Sequence, residues 1–344
     1  MSGQGQGQGQ GRGQGQGRGR GIGQIHQSQQ QLTLPAGYRM TEFWGFHRRD
    51  AQRLSECDLQ DGDTIRMHKG LMWKGLPTLL TLELKQHCEE AAVVQARWRL
   101  PAGAGAITGM DDVLAAMLRR MFGLSQDVGE FERRFGRHAR LGPLLARQRG
   151  LHVPAACTPW EALSWAVTGQ QISVAAAVSL RRRLIAAAGQ PVTLHDGHAD
   201  APQQLWCVPE AAQLAQLGEE DLRAAGFSRS KTHTLPLLAQ AVQSGELPLD
   251  DWAALPELPV AEIRERLLAL KGIGPWTVNY MLLRGYGHLD GPLHGDVAVR
   301  RALALLLKTD AMDAVQTELW LRDFAPWRAL VAAHLWASLS STAF

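Results

Sequence analysis

Residues 267–301 read LLALKGIGPWTVNYMLLRGYGHLDGPLHGDVAVRR. Just upstream, Val260–Leu270 sets Ile263, Leu267, Leu268 and Leu270 among charged residues, the pattern of an amphipathic helix. Lys271-Gly272-Ile273-Gly274 interrupts it, and Pro275 opens a second helical pattern carrying Trp276, Val278, Asn279 and Tyr280. Two glycines at this spacing let the chain reverse sharply. They also expose amides at the start of the next helix, which can bind a phosphate oxygen without reading base sequence. The same spacing serves an ordinary turn between two core helices. The whole hairpin unit spans 260–285.

Asp296 follows 24 residues after Gly272, with Gly295 breaking the chain before it and a helical pattern, VAVRRALALLL, after it. Aspartate is a favoured helix N-cap. In that position the helix amides and dipole favour its anion, and an ionised carboxylate can stabilise a cationic sugar or position a water. Cap and catalytic group are both open readings of Asp296. Trp276 and Tyr280, four apart, share one helix face, and Trp327 and Trp336 lie in the last helical stretch, about 326–338. Aromatics usually build core. The chain has 11 Trp against 3 Tyr, however, and a cluster of them beside a hairpin and a carboxylate also suits a stacking pocket for a flipped base. The electron-rich ring faces attract cationic rings.

The bulk composition narrows the possibilities. Residues 2–31 alternate Gly with Gln or Arg and run into QSQQQ, with too little apolar surface to offset the entropy of ordering, so residues 1–31 read as a disordered tail. Its Arg12, Arg18 and Arg20 account for the whole net charge of +3. Binding to nucleic acid would therefore rest on local patches and backbone amides rather than on a global field. One patch is Arg133, Arg134, Arg137, Arg140, Arg147 and Arg149, which could equally be a solvated face. The four cysteines, Cys57, Cys88, Cys157 and Cys207, are scattered with no metal-ligand spacing, so no metal held by side chains is expected. Free thiols suit a reducing cytosol. No apolar run is long enough to span a bilayer and no signal peptide is visible, so a cytoplasmic protein without membrane partners is expected.

Residues 32–110 read as a small α+β domain. Strand signals fall at Asp63–His68, Thr78–Lys85 and Ala92–Leu100, punctuated by glycine and proline, with a helix around Arg48–Ser55. Residues 111–344 read as all-α. Asp111 is a candidate cap for a helix to Phe122, Thr158-Pro159-Trp160-Glu161 starts a helix ending at Gly169, and Ser173 starts another closed by Gly189. Ser228 is a candidate cap for a helix to Ser244, kinked at Pro236. The fold class is α+β: a small antiparallel N-terminal domain followed by a mostly α domain.

These residues together resemble the helix–hairpin–helix DNA glycosylase superfamily, in particular its bacterial 3-methyladenine DNA glycosylase II family. Four stretches carry the resemblance: Gly169–Ala175 (GQQISVA), Leu222–Lys231 (LRAAGFSRSK), the hairpin through Arg301, and Ala325–Trp336 (APWRALVAAHLW). The resemblance implies that Asp296 is the catalytic carboxylate and that Trp276, Tyr280 and Trp336 surround the base pocket. It implies that Gly272, Ile273 and Gly274 grip DNA, with no required cofactor beyond a monovalent cation that hairpin backbone carbonyls could hold. Gln171 falls where the family inserts a wedge, polar where well-known members are apolar. Strand-cutting relatives carry a lysine two residues after the second glycine, where this chain has Trp276. Without that amine no Schiff base can form. The implied function is a monofunctional glycosylase, acting as a monomer, that excises alkylated purines from double-stranded DNA. The rivals are a bifunctional oxidised-base glycosylase/lyase and a non-catalytic DNA-binding protein using the hairpin alone.

Overall fold

A five-stranded antiparallel sheet forms the N-terminal part of the computed structural model, which describes residues 27–85, 92–101, 108–194 and 202–339. Its strands are β1 (Gln27–Thr33), β2 (Glu56–Asp61), β3 (Thr64–Trp73), β4 (Leu76–Lys85) and β5 (Val93–Arg99), in spatial order β1-β5-β4-β3-β2. Two helices, α1 (Met40–His47) and α2 (Met110–Met121), cover one face. Phe43 from α1 stacks on Phe122 at 4.2 Å between ring centroids, and both join Leu80, Leu82 and Trp98 in one core.

Three expectations for this region need correction. The tail does not extend to residue 31, because Gln27–Thr33 pairs with Val93–Arg99 in continuous register. A strand can be held by its backbone ladder when a sheet edge is offered, so QSQQQ carries no apolar signal. The first helix is at 40–47 rather than 48–55. Phe43 and His47 bury one face of it, whereas Asp50 folds the next segment into a turn by accepting from the amides of Gln52 and Leu54. Asp111 is not the cap of α2: Gly109, with φ +76°, precedes the helix, and the Asp111 carboxylate accepts from the Ser28 hydroxyl, tying α2 to β1.

The rest of the chain is mostly helical, as its pattern indicates. α3 (Val128–Phe135), α4 (Gly142–Arg147), α5 (Pro159–Gly169) and α6 (Val174–Ala188) come first, then the hairpin β6 (Pro191–Thr193) and β7 (Gln204–Trp206). α7 (Ala211–Leu214), α8 (Glu219–Ala224), α9 (Arg229–Gln243), α10 (Leu249–Ala254), α11 (Val260–Leu268) and α12 (Pro275–Tyr286) follow. α13 (Val297–Leu307), α14 (Ala314–Arg322) and α15 (Arg328–Ser338) end the described chain. Thr158 and Ser173 cap α5 and α6 through their hydroxyls. Ser228 precedes α9 without a side-chain cap bond, and Pro236 is accommodated inside it.

The β6–β7 hairpin means that this half is not all-α. It lies on the other face of the N-terminal sheet, where Leu205 and Leu194 pack on Cys57 and Leu79. Val208 adds a bridge to Leu71, its amide donating to Gly70 O at 3.0 Å. A Cβ on Gly70 would sit 2.9 Å from Trp206 O, so glycine is needed where the two layers cross.

Charge also joins the halves. Lys69 of β3, fully buried, donates to Glu56 Oε1 at 2.5 Å and to Glu161 Oε1 of α5 at 2.6 Å. Arg181 of α6 donates to the same two oxygens at 3.1 and 2.8 Å. No helix among the described residues is long and apolar enough to cross a membrane.

Candidate active site

Asp296 sits at the N-terminus of α13 and is 7% exposed. Its Oδ1 accepts from the amides of Ala298 and Val299, both at 2.9 Å, so the cap reading is correct. The carboxylate has further partners. Trp336 Nε1 donates to Oδ1 at 3.1 Å and Trp276 Nε1 donates to Oδ2 at 2.9 Å. All four partners are donors, which suits a group that only accepts. Three crowd Oδ1 and one holds Oδ2, so Oδ2 keeps the freer lone pair.

The two tryptophans come from different helices. Trp276 lies in the first turn of α12, and Trp336 lies in α15, 40 residues beyond the aspartate in sequence. Tyr280 stands between them, its ring 5.2 Å from Trp276 and 6.3 Å from Trp336. Its hydroxyl accepts from Trp165 Nε1 of α5 at 2.9 Å. Arg284, one turn further along α12, lies 5.5 Å over the Trp336 ring and donates to Pro154 O. Burial pulls its guanidinium down to about 10, still charged at neutral pH. The three aromatics expected around a pocket therefore converge on Asp296.

Removing one indole donor isolates its contribution. Trp276→Phe keeps the ring stack but leaves Oδ2 without its N–H. We expect duplex affinity to hold and single-turnover base release to fall about tenfold to a hundredfold, the loss of one hydrogen bond to a charged group. An unchanged rate would show that Oδ2 needs no positioning.

The hairpin leads directly into the helix that carries Trp276. Gly272 has φ +91° and is exposed, while Gly274 is the N-cap of α12. The first helix-internal bond of α12 is from Val278 N to Gly274 O, so the amides of Gly274, Trp276 and Thr277 precede it. Ile273 departs from the expectation of a DNA contact. Its side chain is in the core and its amide donates to Leu270 O at 3.2 Å, so it anchors the turn from inside.

The glycines differ in what they tolerate. A Cβ on Gly272 would fall on Thr234 Oγ1, whereas one on Gly274 meets nothing within 4 Å. Gly272→Ala should therefore lower the unfolding midpoint, with left-handed strain of about 1–3 kcal/mol in addition to the clash. Gly274→Ala should melt as wild type yet bind duplex DNA more weakly, because the added methyl stands where a phosphate would approach. Equal melting and equal affinity for both variants would remove the hairpin from DNA binding.

Several residues hold this surface through contacts that only the packing shows. Gln170 Nε2 donates to Gly272 O at 3.0 Å and to Thr277 Oγ1 at 2.9 Å, which ties the α5–α6 turn to the hairpin. Lys231 Nζ donates to Thr168 O and Gln170 O at 2.7 and 2.9 Å. Gln171, next in that turn, is exposed with φ +58°, and Ile172 beside it is 39% exposed. Trp165 lies outside the matching stretches, and only its contact with Tyr280 reveals it. Lys271 O and Gly272 O accept from Thr234 Oγ1 and Gln170 Nε2. Each keeps a second lone pair, so the donor chemistry fits a monovalent cation.

Residues 164–325 match the HhH-GPD superfamily of base excision DNA repair proteins. Over that stretch the chain is similar to this superfamily. The chain is 30% identical over 65% of its length to a Mycobacterium tuberculosis protein named probable bifunctional transcriptional activator/DNA repair enzyme AlkA, covering 42% of that protein. It is 29% identical over 57% of its length to the Escherichia coli DNA-3-methyladenine glycosylase 2, covering 63% of it. The chain thus spans less than two thirds of either relative. The fold matches the 3-methyladenine DNA-glycosylase from Archaeoglobus fulgidus with a TM-score of 0.67 at 20% identity, over 89% of this chain and 96% of that one.

Proposed function

We propose that this HhH-GPD protein is a monofunctional DNA glycosylase that removes alkylated purines from double-stranded DNA. The observation that carries the reading is the Asp296 carboxylate held by two indole N–H groups, with the Tyr280 ring against Trp276, just after the hairpin. The names of the Mycobacterium tuberculosis and Escherichia coli relatives support the reaction class. In this reading the amides of Gly274, Trp276 and Thr277 take a backbone phosphate, helped by a monovalent cation on the hairpin carbonyls. The α5–α6 turn, with Gln171 and the apolar Ile172, enters the gap left by the flipped nucleotide.

The chemistry then needs little acid catalysis. Alkylation at a ring nitrogen makes the base cationic, so when the bond to C1′ breaks its electron pair neutralises the leaving base. Positive charge develops on the sugar, and Asp296 Oδ2 stabilises it until water adds at C1′ and releases its proton to solvent. The products are a free base and an abasic site. Trp276 stands where a lyase would need an amine, so no covalent intermediate forms.

The test is incubation of the full chain with methylated duplex DNA, with free bases measured by chromatography. A parallel reaction with borohydride tests for trapping. Base release without a trapped adduct is the expected result. Duplex binding with no release from any lesion would favour a non-catalytic DNA-binding protein, and a trapped adduct would favour a lyase.

A further inference from the structure

Behind Tyr280, a narrow cleft separates α1 from α5 and α12. Its aromatic walls are Phe46, Trp165 and Tyr280, and Arg49 and Arg284 also line it. Tyr280 and Arg284 each touch a tryptophan of the Asp296 clamp, so the cleft adjoins the reacting centre. Arg49 lies 4.2 Å over the Phe46 ring and 5.1 Å over that of Trp165, and Arg284 lies 4.6 Å over Phe46.

The donors and acceptors in this cleft are unevenly committed. Arg49 Nε and Nη2 and Arg284 Nε are buried without a hydrogen-bond partner among the described residues. The carboxylates lining the same cleft are occupied. Glu161 Oε1 accepts from Lys69 and Arg181 and its Oε2 from the Cys157 amide. Glu56 accepts from Lys69 and Arg181, and Asp50 accepts from Arg182 and two backbone amides. His47 Nε2 also lacks a partner, but it can donate or accept according to tautomer and does not discriminate. Buried donors without acceptors are costly, and a ligand that brings the acceptor is favoured over one that brings another donor.

We infer that this cleft selects purines bearing an exocyclic carbonyl, such as 7-methylguanine and hypoxanthine, over 6-aminopurines such as 3-methyladenine, with Arg49 as the specificity-determining residue. The inference rests on the glycosylase reading above. A 6-oxo group supplies the acceptor that Arg49 Nε and Nη2 lack, whereas a 6-amino group sets N–H against N–H. Arg284 is tied to Pro154 O and is part of the frame, so Arg49 is the residue to vary.

The experiment compares wild type, Arg49→Met and Arg49→Lys on duplexes carrying a single hypoxanthine or 7-methylguanine, and on duplexes methylated to give 3-methyladenine. Inhibition by each free base is measured alongside. The two kinds of lesion differ in leaving-group quality, so the quantity read is the ratio of 6-oxopurine to 3-methyladenine release within each variant, normalised to wild type. For Arg49→Met we expect that ratio to fall about tenfold or more, the loss of one charged hydrogen bond, with partial recovery in Arg49→Lys. Free hypoxanthine should inhibit wild type more strongly than free 3-methyladenine. An unchanged ratio together with equal inhibition by the two bases would overturn the inference while leaving the glycosylase reading intact. Absence of release from every substrate by wild type would instead remove the reading beneath it. Should Arg49→Met melt below assay temperature, wild-type inhibition by the free bases decides alone.

Discussion

Asp296→Asn is expected to lower base release by about 10²–10⁴-fold, the usual contribution of one positioned catalytic carboxyl group, while duplex affinity and the unfolding midpoint stay close to wild type. Asparagine is as good an N-cap as aspartate, and its side-chain oxygen can still accept from the amides of Ala298 and Val299, which bond Oδ1 at 2.9 Å. What changes is the other end of the group. An amide NH₂ would face the Trp276 indole N–H, which now donates to Oδ2 at 2.9 Å, so two donors would meet and the negative charge would be gone. The substitution therefore separates the two roles of this residue, keeping the cap and removing the anion. Single-turnover release from methylated duplex DNA measures the first quantity, and equilibrium binding to an abasic-site analogue duplex measures the second. Near-normal release from Asp296→Asn would leave Asp296 as a helix cap and nothing more.

The second large effect concerns stability. Lys69→Met should destabilise the folded protein by about 3–5 kcal/mol, the range for breaking a buried ion pair by removing one partner. Methionine fills much of the space of the lysine stem, so little of the loss comes from packing. The cost arises because Glu56 and Glu161 lose the ammonium that lies 2.5 and 2.6 Å from them, and only Arg181 remains to balance both. A thermal or denaturant unfolding curve measures this, and a shift of under 1 kcal/mol would show that the cluster does not couple the sheet to the helices.

The same cluster sets an acid limit. Burial alone would raise Glu56, but Arg181 and Lys69 hold it well below the usual carboxylate range. A carboxylate depressed in the folded state contributes stability above its unfolded value and loses it as pH falls. The unfolding midpoint should therefore drop as pH falls below about 4–5. Glu56→Gln should flatten that dependence, and an unaltered slope would assign the acid limit to other groups.

Much of this was legible from the sequence because it is local. The Gly-Ile-Gly spacing, the proline at the start of α12 and the caps at Thr158, Ser173 and Asp296 each act within one turn of chain, so the residues that form a feature sit together in the sequence. The strands β3, β4 and β5 were visible for the same reason, since alternation and β-branched residues lie along each of them. β1 was not, because its polar glutamines are held by a ladder to residues more than sixty positions away. Ile273 sits in a motif associated with DNA, but the fold turns its side chain into the core.

The sequence by itself therefore determined the fold class, the hairpin and the presence of a carboxylate at a helix start. It left open whether Asp296 is a cap or something more, because a capping aspartate looks the same in either case. Only tertiary structure could decide what else reaches its oxygens. Two tryptophans from two different helices donate to one carboxylate, Trp165 meets Tyr280 across 115 residues, and Arg49 and Arg284 share a cleft formed where the two halves pack. Contacts of that kind depend on how whole helices pack together, which no short stretch of sequence encodes.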